Sequence, residues 1–87
     1  MKSIYKYTLE ITDSQSISMP RYAQILSVAK QGDSLCLWAE VFTEEEQVHR
    51  HIRIIGTGNP IEGSPNRVFL GTVVMDPFVW HVFEVIQ

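Results

Sequence analysis

The sequence predicts an all-β domain: a small β-sandwich or partly open barrel of six to seven mainly antiparallel strands. Three observations carry that expectation. Apolar and polar residues alternate with a period of two in six separate segments. Short polar turns rich in Gly, Pro, Asp and Ser divide those segments. Nothing longer than a single turn shows the i, i+3, i+4, i+7 apolar stripe of an amphipathic helix. A chain of 87 residues is long enough for one domain, residues 1–87, and not for two.

In the first segment Tyr5, Tyr7, Leu9 and Ile11 fall opposite Lys6, Thr8 and Glu10, the pattern of a half-buried strand. Thr12 to Ser16 reads as a polar turn. Ser18-Met19-Pro20 reads as a second break, in which Pro20 starts or edges a strand because it cannot donate to a ladder. Ala23 to Lys30 reads as a strand, Gln31-Gly32-Asp33-Ser34 as a tight reversal, and Leu35 to Phe42 as the returning arm of a hairpin. Thr43-Glu44-Glu45-Glu46 makes the next turn, although Thr43 to Arg50 has the propensity for one helical turn.

Val48 to Ile55 follows, with Val48, Ile52 and Ile54 on one face and Arg50 interrupting it. Gln47, His49, His51, Arg53 and Ile55 occupy the other face. Gly56 to Asn66 forms the longest loop, of the kind in which functional residues concentrate. Val68 to Met75 is another strand, where Gly71 marks a bulge or a close backbone approach. Asp76-Pro77 turns the chain, and Phe78 to Val85 closes it. That last strand is apolar on both faces. It must therefore be central in a two-layer core or cover its outer face with another subunit.

Composition narrows the function. Seven basic residues against ten acidic ones give a net charge of −3, which leaves no electrostatic footprint for direct nucleic-acid binding. No apolar run approaches the ~20 residues of a membrane span, and the first residues lack the apolar core of a signal peptide. A single cysteine, Cys36, forbids an intrachain disulfide and suits a reducing cytoplasm. Hydrophobic residues make up 45% of the chain, generous for a domain this small. Since small domains need extra stabilisation, a homo-oligomer is expected.

Several residues could carry chemistry. His49, His51 and Arg53 share one strand face, where two imidazoles could meet a metal. No third ligand lies at a usual spacing, so no metal is expected. His81 could complete a trio, but between Trp80 and Val82 it reads as a hydrogen-bonded core histidine. Cys36 has no base beside it and reads as a buried structural thiol. Gly56-Thr57-Gly58 lacks the full dinucleotide fingerprint and no helix follows. It could still form an anion-binding nest, with Thr57, Ser64 and Arg67 nearby to suit a phosphate. Glu44, Glu45 and Glu46 make an acidic tip able to enter a basic groove. No nucleophile, base and oxyanion set can be assembled, so neither an enzyme nor a cofactor is expected.

Ile4-Tyr5-Lys6-Tyr7, Met19-Pro20 with Ala23 to Val28, Leu37-Trp38-Ala39, Ile55-Gly56-Thr57-Gly58, Leu70-Gly71-Thr72-Val73 and Val79 to Glu84 together resemble a family of short uncharacterised proteins. These are encoded mainly by phages and prophages and named only as a domain of unknown function. The resemblance spans nearly the whole chain; Thr43–Arg50 and Asn59–Arg67 lie outside it. It implies no activity. It implies a setting, that of a small accessory product acting in the cytoplasm of an infected bacterial cell.

Three functions are compatible with that setting. The first is a counter-defence inhibitor that binds a host immune protein complex, as anti-CRISPR proteins do, with Glu44, Glu45, Glu46, Phe78 and Trp80 at its interface. The second is an oligomeric binder that sequesters a nucleotide immune signal through Arg53, Gly56, Thr57, Gly58, Asn59, Arg67, His49 and His51, with an aromatic ring stacked on the base. The third is a structural or virion-associated module.

Overall fold

The computed structural model describes residues 1–86. It contains seven strands and no helix: β1 (Lys2–Leu9), β2 (Ser14–Pro20), β3 (Gln24–Gln31), β4 (Ser34–Phe42), β5 (Gln47–Gly56), β6 (Arg67–Met75) and β7 (Phe78–Val85). They form two antiparallel sheets, one of order β1-β4-β3 and one of order β2-β5-β7-β6. The sheets stay separate, so the sandwich alternative holds and the barrel does not close. Among the described residues no helix is long and apolar enough to cross a membrane.

The alternation seen in the sequence becomes the core. Leu35, Leu37, Ala39 and Val41 of β4 point inward with Leu9 of β1. They meet Met19 of β2, Ile52 and Ile54 of β5, Val73 of β6 and Val82 of β7. The β3–β4 hairpin closes through Gly32-Asp33, with Gly32 at a φ of 60°, as the mirror-image turns of tight hairpins require. Cys36 is buried on β4, in keeping with its reading as a structural thiol. The strand register slips between Phe69 and Gly71, and a Cβ on Gly71 would stand 2.7 Å from Val28 Cγ2. Gly71 thus marks both a bulge and a close approach between β6 and β3.

Two expectations need correction. Ser14 to Pro20 is a strand where a turn and a break were expected, and the first strand ends at Leu9. Three serines and a proline resemble turn composition, yet Gln15, Ile17 and Met19 alternate with those serines and pair in register with β5. Cross-strand pairing with a buried face outweighs local propensity here. The Thr43–Arg50 stretch forms a turn and the start of β5, with no helical turn.

Arg50, which interrupts the apolar face of β5, lies inside. Its guanidinium grips Glu84 of β7 at both ends, Nε donating to Oε2 and Nη2 to Oε1 at 2.9 Å, while Nη1 donates to the Ala23 carbonyl at 2.8 Å. Glu84 is 7% exposed. Its hydrogen bonds hold the Arg50 guanidinium above the ordinary arginine value. A buried carboxylate needs this kind of partner.

Candidate functional site

Register places one set of side chains on the outward face of the four-stranded sheet. Ser14, Arg53, Phe83 and Phe69 lie in a row across β2, β5, β7 and β6. The neighbouring row is Ser16, His51, Val85 and Arg67. On the other side of the first row lie Ile55, His81 and Thr72. The last strand is therefore central, with Val82 sealed inside and Phe83 half-covered outside. Phe69 is 56% exposed and stands 5.4 Å from Phe83, tilted against it. The Arg67 guanidinium lies over the Phe83 ring at 5.5 Å, a cation–π contact.

The electrostatics of this face are one-sided. Glu84 is the only carboxylate on β2, β5, β6 or β7, and it points inward. The outward positions carry two arginines, three histidines, serines and aromatic rings. Asp13 and Glu62, in the flanking loops, line a pocket with Arg53 at its margin.

The three histidines do not gather. Ser16 Oγ lies 2.9 Å from His51 Nδ1 and Ser18 Oγ 3.4 Å from His49 Nδ1, so each imidazole is held by a serine across the strand pair. His81 sits opposite Ile55, four residues from His51 and so about 13 Å along the strand. Its ring is hydrogen-bonded on both sides, Nε2 to Thr57 Oγ1 at 2.7 Å and Nδ1 to Thr72 Oγ1 at 2.9 Å. Among the described residues no group of three or more His, Cys, Asp or Glu side chains could hold a metal.

The Gly56–Asn59 segment is a β-turn. The Asn59 amide donates to the Gly56 carbonyl and the Thr57 amide to Val79 O, with Gly58 at a φ of 89°, as the third residue of a type II turn demands. Only the Gly58 amide in the Thr57–Asn59 run is free of these bonds, whereas a nest needs successive free amides. The arginines meant for phosphate hold the loop instead. Arg53 donates to the carbonyls of Asp13 and Glu62, at 3.1 and 2.6 Å, and Arg67 to that of Ser64 at 3.3 Å. What remains beside the turn is an open cleft of ≈ 320 Å³ bounded by Ile55, Gly58, Ile61, His81 and Phe83.

The expected protein-interface residues are split. Phe78, 57% exposed, stacks on Trp80 at 5.3 Å. Trp80 lies opposite Gly56 at the end of β5, and Phe78 two residues beyond it. Glu44, Glu45 and Glu46 precede its Gln47 end, a strand length of about 30 Å away. Two of the three glutamates are also occupied, Glu44 by the Met1 ammonium at 2.6 Å and Glu46 by Arg21 at 2.5 Å. The ammonium holds the Glu44 carboxyl below the ordinary carboxylate range.

Ser14, Ser16, Ser18, Phe69, Thr72 and Phe83 were not singled out from sequence as site residues. Each lies on the outward face, but which strands lie side by side depends on topology, and the bulge between Phe69 and Gly71 breaks the period of two within β6. A family model described as a domain of unknown function, DUF7352, matches residues 1–87. The chain belongs to that family. Comparison with curated proteins and with solved structures finds no match. In this DUF7352 domain, then, the strands of the outward sheet face bring aromatic, cationic and hydroxyl groups together with no outward carboxylate of their own.

Proposed function

We propose that this domain is a non-catalytic accessory protein of phage or prophage origin that counters host defence by docking on a host immune protein complex. Its docking surface is the outer face of the β2-β5-β7-β6 sheet. The observation that carries the reading is the make-up of that face: Phe69 exposed beside Phe83 and Arg67, flanked by Arg53 and His51, with no outward carboxylate on the strands. Aromatic and arginine side chains supply most interface hot spots. A cationic face selects an acidic partner surface and steers its approach.

Two features favour a macromolecular partner over a small ligand. Small-molecule sites are concave and bury most of their ligand, whereas the cleft beside Phe83 is open. The amides and arginines suited to phosphate are spent on the loop itself. The acidic tip contributes less than its sequence promises, because Glu44 and Glu46 are already paired. A hydroxyl beside an imidazole, as in Thr57–His81, is the first requirement for an activated nucleophile. Here threonine hydroxyls occupy both ring nitrogens and no carboxylate orients the ring, so the chain Thr57–His81–Thr72 serves to hold the turn on the sheet.

The test uses a panel of purified CRISPR effector complexes and affinity capture on the immobilised domain. One complex is expected to bind the wild type and the Glu45→Lys variant, and to be lost with Phe69→Asp. Failure of every complex to bind, or equal binding by Phe69→Asp, overturns the reading. A nucleotide released from the denatured protein and seen by mass spectrometry would favour the sequestering alternative instead.

A further inference from the structure

A two-sheet sandwich has four edge strands, and an uncovered edge offers unpaired backbone groups to any other strand. Three of the four are blunted here. β2 ends in Pro20 at the sheet edge, which removes a donor. β3 is bulged between Ile25 and Ser27, and β6 between Phe69 and Gly71. These two also face each other across the sandwich, Gly71 against Val28. β1 carries neither device. Its eight residues run in unbroken register with β4, from Lys2 opposite Phe42 to Leu9 opposite Leu35.

The two lysines that might guard this edge are drawn away from it. Lys2 Nζ lies 3.6 Å from Glu40 and 5.2 Å from the centre of the Phe42 ring. Lys6 Nζ donates to Gln31 Oε1 at 2.7 Å, reaching across β4 to β3. Ile4 and Tyr5 remain 60% and 41% exposed. The Thr43 amide donates to the Met1 carbonyl, and hydrogen-bonded pairs alternate along an antiparallel ladder. The inward-bonded residues of β1 are therefore Ser3, Tyr5, Tyr7 and Leu9. The amides and carbonyls of Lys2, Ile4, Lys6 and Thr8 point to the free edge.

We propose that this edge pairs with the β1 edge of a second copy of the chain, antiparallel about a two-fold axis at Tyr5. The occupant follows from self-complementarity. Opposed residues on an antiparallel pair share a face, so only registers that oppose residues of equal parity are allowed. The register centred on Tyr5 opposes Tyr5 to Tyr5, Ile4 to Lys6, Ser3 to Tyr7 and Lys2 to Thr8. It places an aromatic pair at the axis, a favourable cross-strand contact, and satisfies the outward groups of Ile4 and Lys6 reciprocally. Sliding by one step in either direction opposes Lys2 to Lys6 or Lys6 to itself, and like charges directly opposed are unfavourable. The pairing joins two three-stranded sheets into one of six strands, and it leaves the outer face of the other sheet free on both copies.

Native mass spectrometry and residue-resolved hydrogen exchange test this together. The mass is expected to rise with concentration from 10.0 kDa to about twice that value, as a two-fold dimer requires. The amides of Ile4 and Lys6, free in the monomer, should slow in step with dimer formation. Tyr5→Lys, which sets two ammonium groups face to face at the axis, should restore the monomer mass while circular dichroism keeps its β signature. A monomer at every concentration overturns the proposal. So does a dimer in which the Ile4 and Lys6 amides exchange as fast as in the monomer, since its interface would then lie elsewhere.

Discussion

Removing Arg50 strands a carboxylate inside the sandwich. In Arg50→Met the side-chain volume is largely kept, but Glu84 loses both hydrogen bonds from the guanidinium and the Ala23 carbonyl loses its donor. Breaking a buried ion pair by deleting one partner costs about 3–5 kcal/mol. The Arg50 side chain keeps 21% of its exposure, which lets water replace part of what is lost and puts the expected cost near the lower end, about 3 kcal/mol. For a domain of this size that corresponds to a fall in Tm on the order of 15 °C or more. The assay is urea denaturation of Arg50→Met, Glu84→Leu and the double variant, completing a double-mutant cycle. The double variant should recover much of the loss, because no charge is then stranded. A cost below about 1 kcal/mol for Arg50→Met, the range of an exposed pair, or a double variant no better than the worse single one, would refute the reasoning.

Gly71→Ala should cost about 1–3 kcal/mol, the range of core overpacking, because its new Cβ would meet Val28 Cγ2 at 2.7 Å; Val28→Ala in the same chain should restore part of the thermal midpoint. Cys36 is 1% exposed, so its reaction with a thiol reagent should be limited by unfolding and should accelerate in urea; rapid labelling of the native protein would contradict its burial. Burial and the neighbouring Tyr5 push the Tyr7 phenol above its ordinary value of 10.0. The unfolded chain then releases this proton first, so stability is intact below pH 10 and lost as pH rises through the higher folded value. Tyr7→Phe should make that alkaline decline shallower, and an unchanged slope in urea titrations would contradict it.

Much of this fold was legible because period and turn chemistry agreed. The β3–β4 hairpin announced itself through Gly32-Asp33 between two apolar runs, and β7 through an apolar run from Phe78 to Val85 that follows the Asp76-Pro77 turn. β2 was not legible. Its serines satisfy the description of a turn, and only the partner strand β5 reveals that Gln15, Ile17 and Met19 face a core. The same gap separates residues from site. That His49, His51 and Arg53 share a face follows from spacing alone. That Phe69, Phe83 and Thr72 lie on that same face requires the strand order, and the bulge at Leu70 shifts β6 by one residue where simple alternation would keep counting. Arg50 was visible as an interruption, while Glu84, 34 positions away, could be matched to it only through register. The Gly56–Asn59 turn shows the converse. Its composition advertises free amides, and hydrogen bonds take up those of Thr57 and Asn59.

The central claim, that the outer face of the β2-β5-β7-β6 sheet is the working surface, is tested most directly by phage plaquing on cells whose CRISPR system targets the phage. Cells expressing the wild-type domain should recover plaques, and cells expressing Phe69→Asp at equal soluble level should not. Equal recovery with both, or recovery that depends on Glu45 and not on Phe69, would contradict the account.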